Sequence, residues 1–430
     1  MASAHGMTGA AAARAESGHR SQVRWLVVAL LFVFSFLTIV DRVAISAAKA
    51  DMARDLGIPD VQFGLIFGMF ALGYAAFQIP AGWAADRYGP RVFLAAIVVA
   101  WSFFTGLTGL LTTVPALVLV RFLFGAAEAG IYPTASRAIY NWVPRRERGA
   151  AQGVLFIGSR LGAAFGLSVV SFGIAQVGWR STFGVLAALG FVLAAVWIAW
   201  FRDRPELKPG VSPAELAYIR AGGEPASAAG QGAGPSGSLW GTQTIALGIQ
   251  YFASNFTFFL AFSWLLPYLQ TQYALSAAQA GAYASLPLYF GALGNWLSGA
   301  AVDALYRRGH WGRSRRLPAM VGFALGAAAL LVTPAMNSAL GAVVCFSIAT
   351  LGVDMTLSPS WTSCQDIAGP RTGTLSAAMN MVGNGGSFVS SLTFPLLLQA
   401  TGSAATYFYL AAALNVVALL CWTRVRPEHA

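Results

Sequence analysis

Apolar residues occur along the chain in long runs that are separated by short polar segments. The first run extends from Trp25 to about Ala48, and an apolar helix of about 20 residues is long enough to cross a hydrocarbon core of about 30 Å. Similar runs recur to the end of the sequence. The pattern predicts twelve membrane-spanning helices, over residues 25–48, 61–84, 92–111, 114–141, 150–174, 180–201, 243–271, 278–302, 318–335, 338–364, 373–400 and 402–423.

One long polar stretch, rich in Gly, Ala, Ser and Pro, follows the sixth span and divides the spans six plus six. Ser212, Pro213 and Glu215 form a capping-box start with proline at the first helical position, which predicts a short surface helix over about 213–220. Residues 222–238 are expected to form a flexible linker. The predicted regions are a tail (1–24), a six-helix bundle (25–201), a central loop (202–242), a second six-helix bundle (243–423) and a tail (424–430).

The two halves contain matching segments. "GWAADRYGPR" (82–91) follows the second span and "GAAVDALYRR" (299–308) follows the eighth, with an offset of 303 minus 86, or 217 residues. "RERGAAQGV" opens the fifth span and "GPRTGTLSA" opens the eleventh, with an offset of 373 minus 149, or 224. These matching segments predict two six-helix repeats.

Composition and charge agree with an all-α polytopic membrane protein, because 57% of the residues are hydrophobic and 10% are charged. The net charge of +11 does not indicate a nucleic-acid partner, since the basic residues form no stripe with interleaved aromatics. Of the 27 lysines and arginines, 20 fall on one predicted side, 3 on the other and 4 inside spans. The positive-inside rule therefore predicts cytoplasmic N- and C-termini.

Other classes of site are not indicated. The three cysteines lack metal-ligand spacing, so we expect no metal and no cofactor. All four histidines lie outside the spans and no "GxSxG" occurs in a helix, so we expect no enzyme activity. No cleavable signal segment precedes the first span. The 25 arginines against 2 lysines suggest a GC-rich bacterium, and hence an inner-membrane location.

The loop "GWAADRYGPR" resembles the motif of the major facilitator superfamily between its second and third helices. The chain from about Val23 to Arg426 is similar to the anion:cation symporter branch, on the segments "DRVAIS", "GYAAFQIPAGWAADRYGPR", "RFLFGAAEAGIYP", "GSRLG", "FRDRPE", "SPSWTSCQDIAGP" and "MNMVGN". This resemblance implies a proton-driven symporter of sugar acids and other organic anions. It also implies alternating access, with substrate bound between the halves near mid-membrane.

Several charged residues fall inside the spans, and a charge there costs at least about 2.5 to 3.5 kcal/mol on insertion scales. Asp41 and Arg121 both lie about 10 Å below the outer surface at about 1.5 Å per residue, so we expect them to form a pair. Glu128 is two turns from Arg121 on the same helix face, without an obvious cation nearby. The predicted proton-coupling residues are Asp41, Arg121 and Glu128.

Arg42 and Arg160 are candidates to bind the substrate, because a guanidinium matches a carboxylate and stays charged. Arg160 could bind the second carboxylate of a diacid. Alternatively, Arg160 and Asp354 could contact only each other. Ser358 and Asn380 lie at similar depths and are expected to face one another. The resemblance adds polar and aromatic positions, so the predicted substrate-binding residues are Arg42, Tyr74, Arg121, Arg160, Asp354, Ser358, Trp361, Asn380 and Asn384.

A gate is predicted at the cytoplasmic side from the matching loops. Its predicted residues are Gly82, Asp86, Arg87, Gly89, Arg91 and Asp303. Arg137 lies about five residues from the cytoplasmic end of its span, so we expect it to reach the surface and take no part in the site.

The favoured function is proton-coupled uptake of a sugar acid such as a hexonate, hexarate or hexuronate. Thr38 and Ile39 stand where the branch usually has Asn and Tyr, so the preferred acid could differ. Symport of an aromatic or dicarboxylic acid is an alternative, and an antiporter or a non-transporting sensor is disfavoured. The expected partners are a small anionic carboxylate, protons and the lipid bilayer, with the protein acting as a monomer.

Overall fold

The computed structural model describes residues 21–221, 241–260 and 264–425, and the described residues contain helices but no strands. The predicted linker and most of the N-terminal tail lie outside the described residues. The α-helices are Val23–Leu56, Asp60–Tyr88, Pro90–Thr108, Val114–Glu128, Ile131–Trp142, Arg148–Trp200, Pro213–Ala221, Thr242–Phe259, Leu265–Tyr273, Ala277–Arg307, Trp311–Val332, Ala339–Asp354, Leu357–Ala368, Thr372–Thr401 and Ala405–Cys421.

These helices account for all twelve predicted spans. Among the described residues, seven helical stretches are long and apolar enough to cross a membrane, and two of them, Arg145–Trp200 and Ala339–Thr401, contain two spans each. The remaining three spans correspond to the helices Thr242–Phe259 and Leu265–Tyr273 together, to Ala277–Arg307 and to Ala405–Cys421. The prediction of an all-α, twelve-span fold is confirmed.

The fourth and tenth spans are each interrupted once near mid-depth, after Glu128 and after Asp354. A proline stands five residues after each of these carboxylates, Pro133 in the fourth span and Pro359 in the tenth. Proline has no N–H to donate to the carbonyl four residues earlier, which weakens the helix at that point. The two interruptions are related by an offset of 359 minus 133, or 226 residues, and extend the repeat seen in the sequence.

The fifth and sixth spans form one helical range that bends at Gly178. This residue has φ 77° and ψ 161°, a conformation that side-chain-bearing residues rarely adopt. The bend stands in the predicted gap between residues 174 and 180. It sends the chain back across the bundle without a separate loop.

The surface helix Pro213–Ala221 confirms the sequence prediction and is attached to the start of the first span. Glu215 is fully buried. Its carboxylate accepts hydrogen bonds from the Arg24 guanidinium at 2.9 Å and from the backbone N–H groups of Val23 and Arg24 at 3.2 Å each. Ser21 donates a further hydrogen bond to it. This carboxylate therefore ties the central segment to the N-terminal half.

The twelve spans form two halves, the N-terminal half (described over 21–221) and the C-terminal half (described over 241–260 and 264–425). We call the end of the bundle at which the first span begins the basic end, because most arginines of the connecting segments lie there. The halves meet mainly through the second span with the eleventh and the fifth with the eighth. The cytoplasmic location of the basic end stays a prediction.

Candidate functional site

Asp86 joins the two halves at the basic end. Its carboxylate accepts hydrogen bonds from the backbone N–H groups of Gly373 at 2.8 Å and Thr374 at 2.7 Å, and from the Thr374 hydroxyl at 2.7 Å. Both partners belong to the first turn of the eleventh span, where the helix dipole favours an anion. The predicted gate residue thus caps a helix of the other half.

Asp303 makes the mirrored contact. Its carboxylate accepts hydrogen bonds from the backbone N–H groups of Gly149 at 2.9 Å and Ala150 at 2.8 Å, in the first turn of the fifth span. The matching segments of the two halves therefore contact each other. In each case, the loop segment of one half meets the first turn of a helix in the other half. One arrangement of contacts is used twice by the two repeats.

Gly82 permits a close helix crossing at the same end. A Cβ atom added to this residue would lie 2.4 Å from the carbonyl oxygen of Gly373, which is far inside van der Waals contact. The second and eleventh spans could not approach this closely with a larger residue at position 82. Gly82 therefore belongs to the interface between the halves, as predicted.

Gly89 and Arg91 have a different role from the one predicted, because their contacts stay within the N-terminal half. Gly89 has φ 80° and lies against Asp203. The backbone N–H of Arg91 donates to the Asp203 carboxylate at 2.8 Å, and its guanidinium donates to the Ile198 carbonyl at 2.9 Å. Burial raises the pKa of the Asp203 carboxyl, although the hydrogen bond from Arg91 lowers it.

The other arginine of the predicted gate, Arg87, also remains in the N-terminal half among the contacts described. Its guanidinium lies over the Trp83 ring, 5.6 Å from the ring centroid. Within the motif, the contacts that close the basic end are thus made by Asp86 and Gly82, and the arginines contact the N-terminal half only among the contacts described.

A cluster of arginines at the basic end was missed by the sequence analysis. Asp366 accepts a hydrogen bond from Arg315 at 3.0 Å and lies 3.3 Å from Arg145 and 3.6 Å from Arg148, which belong to the other half. These residues looked like ordinary loop charges in the sequence. The burial of Arg148 and Arg315, and the carboxylate that all three arginines share, indicate a second contact that closes the basic end.

The expectation that Arg137 reaches the surface is wrong. Arg137 is 7% exposed, and its guanidinium donates to the carbonyl of Gly369 in the C-terminal half at 3.3 Å. Five residues of helix separate it from the end of its span, but the other half covers it there. It therefore adds to the interface at the basic end.

At mid-depth, Arg42 and Glu128 form an ion pair. The Arg42 Nε donates to the Glu128 carboxylate at 2.6 Å, and the Arg42 guanidinium lies 4.5 Å from the Tyr74 ring centroid. The Arg42 side chain is 21% exposed, whereas that of Glu128 is 0% exposed. The prediction that Glu128 lacks a cation is wrong, and the cation of this pair faces the open space.

The expected pair of Asp41 and Arg121 is not formed in this conformation. Both carboxylate oxygens of Asp41 are buried without a hydrogen-bond partner among the described residues, and so is the Arg121 Nε. The Arg121 guanidinium instead lies 4.6 Å from the Phe124 ring centroid and 5.5 Å from that of Phe70. Arg121 remains within electrostatic range of Asp41. The two groups are neighbours that do not touch.

Arg160 and Asp354 form a second ion pair near mid-depth, and this pair joins the two halves. The Arg160 Nε and Nη2 atoms each donate to a different carboxylate oxygen of Asp354 at 2.5 Å. The Arg160 side chain is 11% exposed and that of Asp354 is 1% exposed. The sequence left open whether these residues contact each other, and the structure shows that they do.

Aromatic side chains form a layer between this mid-depth region and the basic end. Trp361 is fully buried, and its indole N–H donates to the Tyr251 hydroxyl at 2.9 Å. Tyr132 stacks on Phe156 with ring centroids 5.5 Å apart, and its ring also contacts Trp361. Tyr132 was not predicted, although it lies within electrostatic range of both Arg42 and Arg160.

Amide and phenol groups lie beside the Arg42 pair. Asn380 donates through its side-chain amide to the Tyr74 hydroxyl at 3.3 Å and to the Gln78 side chain at 3.1 Å, which joins the eleventh and second spans. Asn384 donates to the backbone carbonyl of Asn380 at 2.8 Å and is partly exposed. These side chains supply both donors and acceptors at mid-depth.

Ser358 does not face Asn380, so this expectation is wrong. Ser358 is fully buried, and its hydroxyl donates to the backbone carbonyl of Gly149 at 2.7 Å. Gly149 is also a partner of Asp303, so Ser358 belongs to the contacts that close the basic end. Equal depth along two spans did not bring the two side chains together.

The polar contacts described between the halves are concentrated at the basic end. The hydrogen bonds and ion pairs described between the halves lie between the basic end and mid-depth. Five residues beyond Arg160, Phe165 contacts Tyr289 of the other half with ring centroids 6.1 Å apart, and these residues are 45% and 41% exposed. Arg42 and Arg160 are the partly exposed members of their ion pairs, and we call the accessible space beside them the cavity.

Comparison with known sequences agrees with this architecture. Residues 31–391 match the sequence model of the Major Facilitator Superfamily. The chain is 31% identical over 409 residues to the probable sulfoacetate transporter SauU of Cupriavidus necator, covering 95% of each chain. It is 30% identical over 405 residues to the probable galactarate/D-glucarate transporter GudP of Escherichia coli, covering 89% of each. The hexuronate transporter of Bacillus subtilis is 26% identical and covers 93% of this chain and 94% of its own.

Solved structures share the fold. The proton:xylose symporter XylE aligns with a TM-score of 0.71 at 15% identity, covering 94% of this chain and 95% of that one. The transporter FucP in its outward conformation aligns with a TM-score of 0.70 at 12% identity, covering 92% and 98%.

Proposed function

The chain belongs to the Major Facilitator Superfamily and is a multi-pass transporter of the bacterial inner membrane, not an enzyme. We propose that it is a proton-coupled symporter that takes up an organic anion, most favourably a sugar acid such as a hexonate, hexarate or hexuronate. The observation that carries this proposal is the ion pair of Arg42 and Glu128, in which the arginine faces the cavity and the carboxylate is fully buried.

Arg42 is the proposed primary anion site. Its guanidinium presents a fixed set of donors that fits a carboxylate, and one of its nitrogens, Nη2, is buried without a hydrogen-bond partner among the described residues. Its other face is occupied by the Tyr74 ring. A substrate carboxylate that binds here competes with Glu128 for the same cation.

Proton coupling follows from this competition. When the substrate binds Arg42, Glu128 loses its counterion, and a buried charge without a partner is costly. Protonation removes that charge, so anion binding and proton binding favour each other. We propose the same role for Asp41, whose carboxylate lies near Arg121 and has no hydrogen-bond partner within the described part of the chain.

Hydroxyl groups of a sugar acid require donors and acceptors beside the carboxylate site. Tyr74, Asn380 and Asn384 supply them at the same depth. The named functions of the similar proteins, which include galactarate/D-glucarate and hexuronate transport, support a sugar acid as the substrate. Sulfoacetate transport by another relative supports an acid group as the common requirement.

Alternating access would be achieved by breaking the contacts of Asp86 and Asp303 at the basic end while new contacts form at the opposite end. We propose that the basic end is cytoplasmic, because of its excess of arginines. Transport by a monomer is proposed because the cavity lies between the two halves of one chain.

The test is uptake by the purified protein in liposomes, measured for hexonates, hexarates, hexuronates, aromatic acids, dicarboxylates and neutral sugars with and without an outside-acid pH gradient. We expect accumulation of one class of anion that the gradient increases. Asp41→Asn and Glu128→Gln should abolish gradient-driven accumulation, and at least one of them should retain counterflow exchange. Full accumulation by both variants, or transport of neutral sugars only, would refute the proposal.

A further inference from the structure

We propose that the site carries organic dianions, with the ion pair of Arg160 and Asp354 receiving the second acidic group and one additional proton. This inference rests on the proposed function, because it assumes that the first acidic group binds Arg42. It assigns a role to a charge pair that binding of a monoanion does not require.

The geometry of the pair is that of a bound carboxylate. Arg160 offers two adjacent N–H groups, and each donates to a separate oxygen of Asp354 at 2.5 Å. A substrate carboxylate or sulfonate offers the same pair of acceptors. Asp354 therefore occupies the position that a second acidic group would take.

Exposure places the cation of this pair on the cavity side. The Arg160 side chain keeps 11% of its surface exposed, whereas Asp354 keeps 1%. The same order holds for Arg42 at 21% and Glu128 at 0%. A ligand in the cavity therefore meets the two guanidinium groups before it meets either carboxylate. A site arranged in this way attracts an anion with two charges.

The two carboxylates are related by the internal repeat. Glu128 and Asp354 are each the last residue of the first helix of an interrupted span, and each stands five residues before a proline, Pro133 or Pro359. Each is buried and ion-paired with an arginine of another span. The step proposed for Glu128, release from arginine and protonation, is therefore chemically available to Asp354 as well.

One small ligand could reach both arginines. Arg42 and Arg160 both lie within electrostatic range of the Tyr132 phenol. Tyr132 is 6% exposed and held by stacking on Phe156. The two guanidinium groups thus have one fixed phenol as a common neighbour.

Displacement of Asp354 leaves it without a counterion. Arg160 is its ion-pair partner among the described residues, and the carboxylate fits closely against Gly291, where an added Cβ atom would lie 2.2 Å from the Asp354 Oδ2. A buried carboxylate in that position takes up a proton more readily than one paired with arginine. The charges balance, because each added negative charge on the substrate is matched by one added proton.

The decisive experiment is calorimetric titration of the purified full-length protein with galactarate and with galactonate, which differ only in a carboxylate or a hydroxymethyl group at C6. Repeating each titration in buffers of different ionisation enthalpy gives the number of protons taken up on binding. We expect galactarate to bind with about one more proton than galactonate. Asp354→Asn should remove this difference and bind galactarate about tenfold more tightly, since no carboxylate then competes for Arg160.

Arg160→Gln should weaken galactarate binding at least tenfold and change galactonate binding less than twofold. The matched control is Asp366→Asn, which breaks an ion pair between the same halves at the basic end and should affect both anions equally. Equal proton uptake with both anions in the unmodified protein would overturn the inference, and so would equal losses in Arg160→Gln or binding of galactonate alone. Failure of the unmodified protein to bind either anion, or any other acid of the uptake panel, would instead refute the proposed function.

Discussion

Asp86 should hold the basic end closed, so Asp86→Asn is expected to shift the protein towards the conformation that opens at this end. The carboxylate accepts three hydrogen bonds of 2.7 to 2.8 Å from the first turn of the eleventh span. Asparagine has one acceptor oxygen and no charge, so one or two of these bonds are lost. Hydrogen bonds to charged groups contribute about 1.5 to 3 kcal/mol each. A total loss of about 1.5 to 6 kcal/mol corresponds to a shift of roughly 10- to 20,000-fold in the equilibrium.

The shift can be measured as a distance between the halves at the basic end. Spin labels at Arg204→Cys and Arg308→Cys would report it, since both positions are exposed there and lie in different halves. The background for labelling replaces Cys345, Cys364 and Cys421 by serine. Double electron–electron resonance should show a longer distance whose population grows in Asp86→Asn.

Two further variants make this test specific. Asp303→Asn should produce a similar shift, because Asp303 makes the mirrored contacts with the fifth span. Asp51→Asn is the control, since Asp51 pairs with Arg54 at 3.0 Å near the opposite end and contributes nothing to closure at the basic end. Unchanged distances in both Asp86→Asn and Asp303→Asn would refute the assignment of these carboxylates to the gate.

Three other outcomes are expected. Arg42→Lys should weaken anion binding about tenfold or more, measured by titration, because lysine lacks the planar fork of donors; unchanged affinity would remove Arg42 from the substrate site. Glu215→Ala should lower the midpoint of thermal unfolding, since removing one partner of a buried ion pair costs about 3 to 5 kcal/mol. Because burial raises the pKa of Asp203, its ionisation opposes folding, so thermal stability should fall as pH rises above the ordinary aspartate value of about 4. Asp203→Asn should reduce that pH dependence, and an identical pH profile would contradict it.

The fold was largely predictable because apolar runs and repeated motifs are local signals. Such signals predict the twelve spans, the surface helix at Pro213–Ala221 and the two repeats. The contacts of Asp86 and Asp303 between the halves were also partly predictable, because the repeated segments that contain these aspartates are the segments that meet. The repeated segments do not predict that each aspartate accepts hydrogen bonds from backbone N–H groups of the other half.

The pairing of charges at mid-depth could not be read from the sequence. Counting residues along two helices gives the height of each side chain and not its rotation about the helix axis. Asp41 and Arg42 differ by about 100° in that rotation, so Arg42 turns to Glu128 while Asp41 turns away from contact with Arg121. The same limit explains the error for Ser358 and Asn380.

The arginine cluster around Asp366 was missed for another reason. Arg145, Arg148 and Arg315 lie near span ends, where arginine is expected from the positive-inside rule alone. Their shared contact with Asp366 arises only when the two halves close on each other. Residues whose environment is created by the contact between halves carry no local signal of that contact.

The central claim is that anion transport and proton transport are one process at the Arg42–Glu128 pair. The most direct test measures both fluxes in the same proteoliposomes, with a labelled sugar acid outside and a pH-sensitive dye inside. The account predicts that protons enter with the anion in a fixed ratio, and that Glu128→Gln exchanges the anion without net proton entry. Anion accumulation without proton entry, or driven by a sodium gradient alone, would contradict it.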